Sequence, residues 1–105
     1  MNNPAAIAFK KLFGENFKVN DPDYNGMKSS YGYVPSCSIF DYEFKIVTHT
    51  EEKYIDYCYF HKTKNYKFIY KNIDKFKAGK FHYYIRFNDL IDILTPMLNE
   101  ALKTS

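Results

Sequence analysis

The 105-residue chain has no tryptophan, one arginine, two cysteines, four glycines and four prolines. Each scarcity removes an option. Two cysteines cannot staple a small secreted scaffold, and the interval from Cys37 to Cys58 matches no zinc-finger spacing. No CxxC pair is present, and GxSxG, GxGxxG and Walker-type segments are missing. The usual nucleophile-elbow and nucleotide-binding frameworks are therefore not expected. At the N-terminus the longest apolar run is "AAIAF", short of the roughly seven residues of a signal-peptide core. No run approaches the roughly 20 apolar residues of a membrane span. The expectation is a soluble, cytoplasmic protein with reduced thiols, no metal and no cofactor.

What the chain does have is aromatic: 10 Phe and 11 Tyr, with 46% hydrophobic residues. A chain of this length suits a single domain, residues 1–105, burying roughly 65% of its unfolded surface. The formal charge of +3 is unevenly spread. From His61 to Arg86 seven Lys and one Arg face one acid, Asp74, so this stretch carries +7 and the remainder −4.

The pattern along the chain predicts an α+β fold. "NNPAAIAFKKLFG" reads as a helix capped by Asn3, with Pro4 in its first turn and Gly14 at its end. Ala5, Ala8, Phe9, Leu12 and Phe13 form its apolar stripe. A turn-rich segment follows from Glu15 to Ser36, with a hairpin signal at Asn25-Gly26. Alternation then predicts a four-stranded antiparallel meander from "SIFDYEFKIVTH", "KYIDYCYFH", "YKFIYK" and "KFHYYIRF". A two-residue turn at Thr50-Glu51 would pair Ile46 with Ile55, Phe44 with Tyr57 and Tyr42 with Tyr59. All the alternating aromatics then share one face. "NDLIDILTPMLNEALK" predicts a C-terminal helix capped by Asn88, kinked at Pro96 and packed on that aromatic face.

Several candidate sites weaken when their geometry is worked out. Asp21, Asp23, Asn25 and Gly26 imitate a calcium loop, but its twelfth position is Gly32 where a bidentate Glu is needed. On the meander register Glu43, Cys58, Ile69 and His82 form one row of the outer face. Cys58 and His82 would then stand two strands apart, roughly 9.6 Å, too far for a thiolate–imidazole pair. Asp41, Glu43 and Asp56 supply carboxylates but no paired arrangement. Lys45, Asp56 and Lys71 form a cross-strand charge row instead. No catalytic set emerges, and the chain is expected not to be an enzyme.

The strongest signal is the interleaving of cations and rings in "KTKNYKFIYKNIDKFKAGKFHYYIR". Cations can meet phosphates and rings can stack on bases. Lys can equally guard strand edges against aggregation, and no RNP1-type aromatic motif is present. The expected binding surface comprises Phe60, Lys62, Lys64, Lys67, Lys71, Lys75, Lys77, Lys80, Tyr84 and Arg86. Tyr24, Lys28, Tyr31 and Tyr33 make a second candidate surface. Ile39, Val47, Tyr54, Phe60, Ile69 and Tyr84 leave the outer face rich in apolar area, as at protein interfaces. The functional expectation is a small non-catalytic binding protein acting on a protein or a protein–nucleic acid complex. An AT-rich composition fits a phage or mobile-element inhibitor of a host nucleic-acid-handling complex. The alternative is direct DNA or RNA binding through Lys62 to Arg86.

Overall fold

The computed structural model describes residues 4–20, 33–47 and 57–104. The Asn3 cap, the calcium-like loop, the turns at Asn25-Gly26 and Thr50-Glu51, and Tyr24, Lys28 and Tyr31 lie outside the described residues, as does the side chain of Tyr33. The fold is α+β, with an N-terminal helix, an antiparallel sheet and a C-terminal helix. Among the described residues the sheet has six strands rather than the four expected.

Helix α1 spans Pro4–Phe13. Proline suits its first turn because the N–H it lacks would have no helical acceptor. Gly14 ends the helix at φ +58, the left-handed conformation that glycine adopts without strain. Ala5, Phe9 and Phe13, spaced by four, are buried, whereas Leu12 is half exposed. The apolar stripe is therefore narrower than the sequence suggests. A single 3₁₀ turn leads into β1, Phe17–Val19.

Strands β2, Tyr33–Ile39, and β3, Tyr42–Val47, replace the first expected strand. The chain turns back at Phe40-Asp41, where Phe40 takes φ +55. A phenylalanine in this region costs roughly 1–2 kcal/mol locally. Two contacts hold it there: its N–H donates to the Asn16 carbonyl at 3.2 Å, and its ring meets Phe13 edge-on at 6.4 Å. Pro35 has no N–H to give the ladder, and the β2–β3 register shifts between Val34 and Cys37.

Strand β4 is Tyr57–His61. The next expected strand, "YKFIYK", is instead helix α2, Tyr66–Lys71. Its rings alternate, but Phe68 and Ile69 are both buried while Tyr66 and Tyr70 are exposed, which a strand cannot achieve with neighbouring residues. Asn65 enters it in the left-handed conformation, and the Asn72 side chain donates to the Phe68 carbonyl at 2.9 Å. A 3₁₀ turn, Ile73–Lys75, leads to the two-residue strand β5, Lys77–Ala78, and to β6, His82–Arg86. Helix α3, Phe87–Thr104, follows β6 without a loop, so Asn88 lies inside its first turn and not at a cap. It continues through Pro96, which leaves the Asp92 carbonyl without its usual helical donor. Among the described residues no helix is long and apolar enough to cross a membrane.

The sheet order is β1-β2-β3-β4-β6-β5, every pair antiparallel. Lys45 pairs with Tyr59 and Ile46 with Cys58, three residues away from the expected Ile55. An odd offset exchanges the two faces. Tyr57 and Tyr59 therefore leave the aromatic face, and Cys58 and Phe60 enter it, both fully buried. Ile39 and Ile69, also expected on the outer face, are buried as well.

One core fills the space between this face and the helices. Phe9 stacks on Phe17 and meets Phe44 and Phe87 edge-on, with ring centroids 5.6, 5.6 and 4.8 Å away. Phe44 stacks on Phe60 at 5.1 Å, and Phe68 of α2 lies between Phe60 and Tyr42, 5.8 and 4.2 Å from them. Leu90 and Leu94 of α3 complete it. The aromatic members of the buried set are all Phe; the tyrosines whose side chains are described all keep some exposure, as a hydroxyl that needs a partner favours.

Two substitutions test this account by urea unfolding. Phe60→Ala should destabilise the protein by about 3–5 kcal/mol, the cost of emptying a buried aromatic site. Gly14→Ala should cost about 1 kcal/mol. Open space surrounds Gly14, so that loss would be conformational alone.

Candidate functional site

Because the helices pack on one face of the sheet, its other face is not covered by any helix among the described residues. Strand alternation determines what it presents. Lys45 of β3, Tyr59 of β4, Tyr84 of β6 and Lys77 of β5 are successive cross-strand partners. They form one row spanning roughly 14 Å, three inter-strand spacings. Tyr57 beside Arg86 forms the row on one side, and His61 beside His82 the row on the other. Lys18 of β1 faces the same way, paired with Ser38.

The rings of the middle row are ordered against each other. Tyr59 and Tyr84 meet edge to face at 4.5 Å, and Tyr59 lies 6.3 Å from His82. Gly79 helps to set the Tyr84 ring: a Cβ there would overlap it, so only glycine leaves room for the ring to lie across β5. The Gly79 N–H donates to the His82 carbonyl at 2.8 Å and closes the β5–β6 turn. Burial raises the Tyr59 hydroxyl above the ordinary tyrosine range, with Tyr84 and Tyr57 adding to it. It remains a neutral donor at physiological pH.

Charge on the face is predominantly positive. The cations are Lys18, Lys45, Lys77 and Arg86, and among the described residues the acid beside them is Glu43. It is paired with Lys64 at 2.9 Å. Both partners are substantially exposed, so the pair fixes geometry more than stability. At the histidine end a cleft of about 190 Å³ opens between β3, β4 and β6. There the His61 Nδ1 accepts from the Thr63 N–H at 3.1 Å, which leaves Nε2 of the neutral ring carrying the proton. His82 is held below the ordinary imidazole range by burial first, then by Lys45, His61 and Lys62.

Compared with protein-family models, curated proteins and solved structures, the chain matches none. Any assignment must therefore come from the surface itself.

The expected site residues separate into several places. Lys64, Lys77, Tyr84 and Arg86 belong to the open face. Lys67 and Lys71 line a groove of about 490 Å³ between α2 and α3, together with Tyr42, Phe68, Asp92 and Met97. Lys75 follows them in the 3₁₀ turn. Lys62 sits over the Tyr83 ring at 5.7 Å, and Lys80 over Phe81 at the β5–β6 turn at 5.3 Å. Phe60 is a core residue and cannot touch a partner. The expected row Glu43, Cys58, Ile69 and His82 does not exist, because Cys58 and Ile69 are buried on the helix side. Tyr57, Tyr59, His61, His82, Lys18 and Lys45 are on the face but not among the expected contacts. For Tyr57, Tyr59, His61 and Lys45 the signal was the alternation of "YCYFH" and "EFKIV", with its phase reversed.

Catalytic use of cysteine is opposed by the environment. Neither cysteine is in a disulfide and both are fully buried, and the Cys37 Sγ donates to the Phe44 carbonyl at 3.3 Å. Burial, then Glu43, pushes the Cys37 thiol well above its ordinary range, against thiolate formation. Among the described residues no group of three or more His, Cys, Asp and Glu could hold a metal ion.

His82 makes a testable contribution to acid stability. The unfolded chain protonates this imidazole below about pH 6.5, whereas the folded one resists. The unfolded state then binds more protons, so this component is full above about pH 6.5 and is lost as pH falls toward the lowered native value. In urea unfolding between about pH 7 and 5, His82→Gln should lose stability less steeply than the native chain. Equal slopes would exclude the effect.

Proposed function

We propose that the protein is a non-catalytic binding module whose open sheet face takes single-stranded nucleic acid. The observation that carries this is the row Lys45–Tyr59–Tyr84–Lys77, two tyrosines flanked by two lysines across four strands. Tyrosine faces offer bases a sequence-tolerant platform, and flanking lysines meet the backbone that runs over it. Arg86 and Lys18 extend the positive field beyond the row. A flat sheet face suits an unpaired strand, whose bases are free to turn toward the protein.

A second reading rests on a different surface. Tyr66, Tyr70 and Ile73 lie four and three residues apart along α2 and the turn after it, and are 49%, 58% and 44% exposed. With Lys67 and Lys71 beside them they make a half-apolar, basic stripe. That composition suits a protein partner with an acidic, apolar surface. The groove beside α3 would be part of the same contact.

Fluorescence anisotropy of a labelled single strand tests the first reading. Binding should weaken linearly with salt on logarithmic axes, with a slope of roughly −0.7 for each phosphate contacted. Tyr84→Ala should cost about 1–3 kcal/mol of affinity, as expected for a lost stacking ring. Absence of binding at low salt would overturn the proposal and leave the α2 stripe as the surface to pursue.

A further inference from the structure

We propose that the cleft between β3, β4 and β6 is a phosphate subsite: Lys45, Lys64 and the His61 Nε2–H hold a nucleic-acid phosphodiester, and His82 takes up a proton as it binds. The inference rests on the nucleic-acid reading of the sheet face and adds where the strand's backbone is gripped.

Size and donors agree with this ligand. The cleft of about 190 Å³ has room for roughly six water molecules at ~30 Å³ each, enough for a phosphate with its ester oxygens. Its lining includes Lys45, Lys64, His61, His82 and Tyr59, all able to donate to an oxyanion, against one acid, Glu43. Glu43 is already paired with Lys64, which offsets its repulsion for an arriving anion. His61 is fixed in a useful tautomer, since its Nδ1 is occupied by Thr63. The cleft adjoins the Tyr59–Tyr84 pair, because Tyr59 lines it and is 4.5 Å from Tyr84. One strand could therefore stack at the tyrosines and place a neighbouring phosphate in the cleft.

Proton uptake follows from the charges that surround His82. Burial acts on it first, and Lys45 from β3, His61 from β4 and Lys62 from the loop after β4 add to it. Lys64, Glu43 and Tyr59 share the cleft. With both imidazoles neutral, Lys45, Lys64 and Glu43 leave the cleft at +1. A phosphodiester would cancel that charge and offset the cationic repulsion of an imidazolium at His82, leaving the cost of its burial. Linkage then requires binding to tighten as pH falls. Each unit by which the ligand raises the His82 pKa adds up to about tenfold.

The test uses dithymidine monophosphate, whose single diester does not titrate over the range studied, with its uncharged methylphosphonate analogue and inorganic phosphate as companion probes. Histidine ring NMR signals are followed against pH with and without each probe. Affinity is measured at about pH 8 and about pH 5.5, on either side of the ordinary imidazole value. The diester should raise the His82 titration midpoint and bind roughly tenfold tighter at the lower pH. The methylphosphonate should do neither. His82→Gln should lose the gain on acidification, and Lys45→Gln should weaken binding at both. An unmoved His82 signal, a gain that survives His82→Gln, or an equal response to the methylphosphonate would overturn the subsite. If longer thymidine strands bind while His82 stays silent, the subsite fails and the sheet-face reading stands. If the diester or inorganic phosphate moves His82 but longer strands bind no tighter, the cleft is a site for small anions and the sheet-face reading fails.

Discussion

The pairing of Lys45 with Tyr59 decides which half of the sheet's side chains is buried. With this parity, Phe44 and Ile46 line up with Cys58 and Phe60, and β6 continues the set through Ile85. The core then closes around the stack of Phe44 on Phe60, with Phe9 from α1 on one flank and Phe68 from α2 on the other. A slip of β4 by one residue would turn Tyr57, Tyr59 and His61 toward these rings. The buried face would lose Cys58 and Phe60 and gain hydroxyls and an imidazole without partners. The open face and its basic rows are the complement of the same choice. Packing on one side and chemistry on the other are thus fixed together.

Much of this architecture was legible because it is local. Proline near the start of α1, glycine at its end and the apolar stripe of α3 each act within a few residues, and each helix lies where they place it. Alternation correctly marked β3, β4 and β6 as strands. What the sequence could not convey was their relative phase, which depends on the connection between Val47 and Tyr57 and on long-range packing. The same limitation hid the site. Tyr84, Arg86, Lys77 and Lys64 were named, but the expected register placed Phe60 outside and left Tyr59 unnoticed. Two further departures come from tertiary contacts that override local preference. Phe40 turns the chain only because Phe13 and Asn16 hold it, and α2 is helical because Phe68 and Ile69 must both reach the core.

The division of aromatic labour explains how a protein with no tryptophan supports two surfaces. Phenylalanine has no polar atom to satisfy and fills the interior. On the sheet, Tyr57, Tyr59 and Tyr84 stay partly exposed, which suits a ring that carries a hydroxyl. The lysine-rich tract from His61 to Arg86 is contiguous in sequence but divided in space between the open face, α2 and the β5–β6 turn. Its summed charge therefore overstates the field at any one of these places.

The strand order carries a temporal consequence. β6 lies between β4 and β5 although it follows both in the chain. During synthesis from the N-terminus, β4 has a bare hydrogen-bonding edge until Arg86 has been made, and the two-residue β5 joins the sheet through its pairing with β6. The delay falls where stray pairing with another chain would do most harm. Helix α3 follows β6 without a loop, so the segment that fills the gap is tied to the helix that covers the finished sheet.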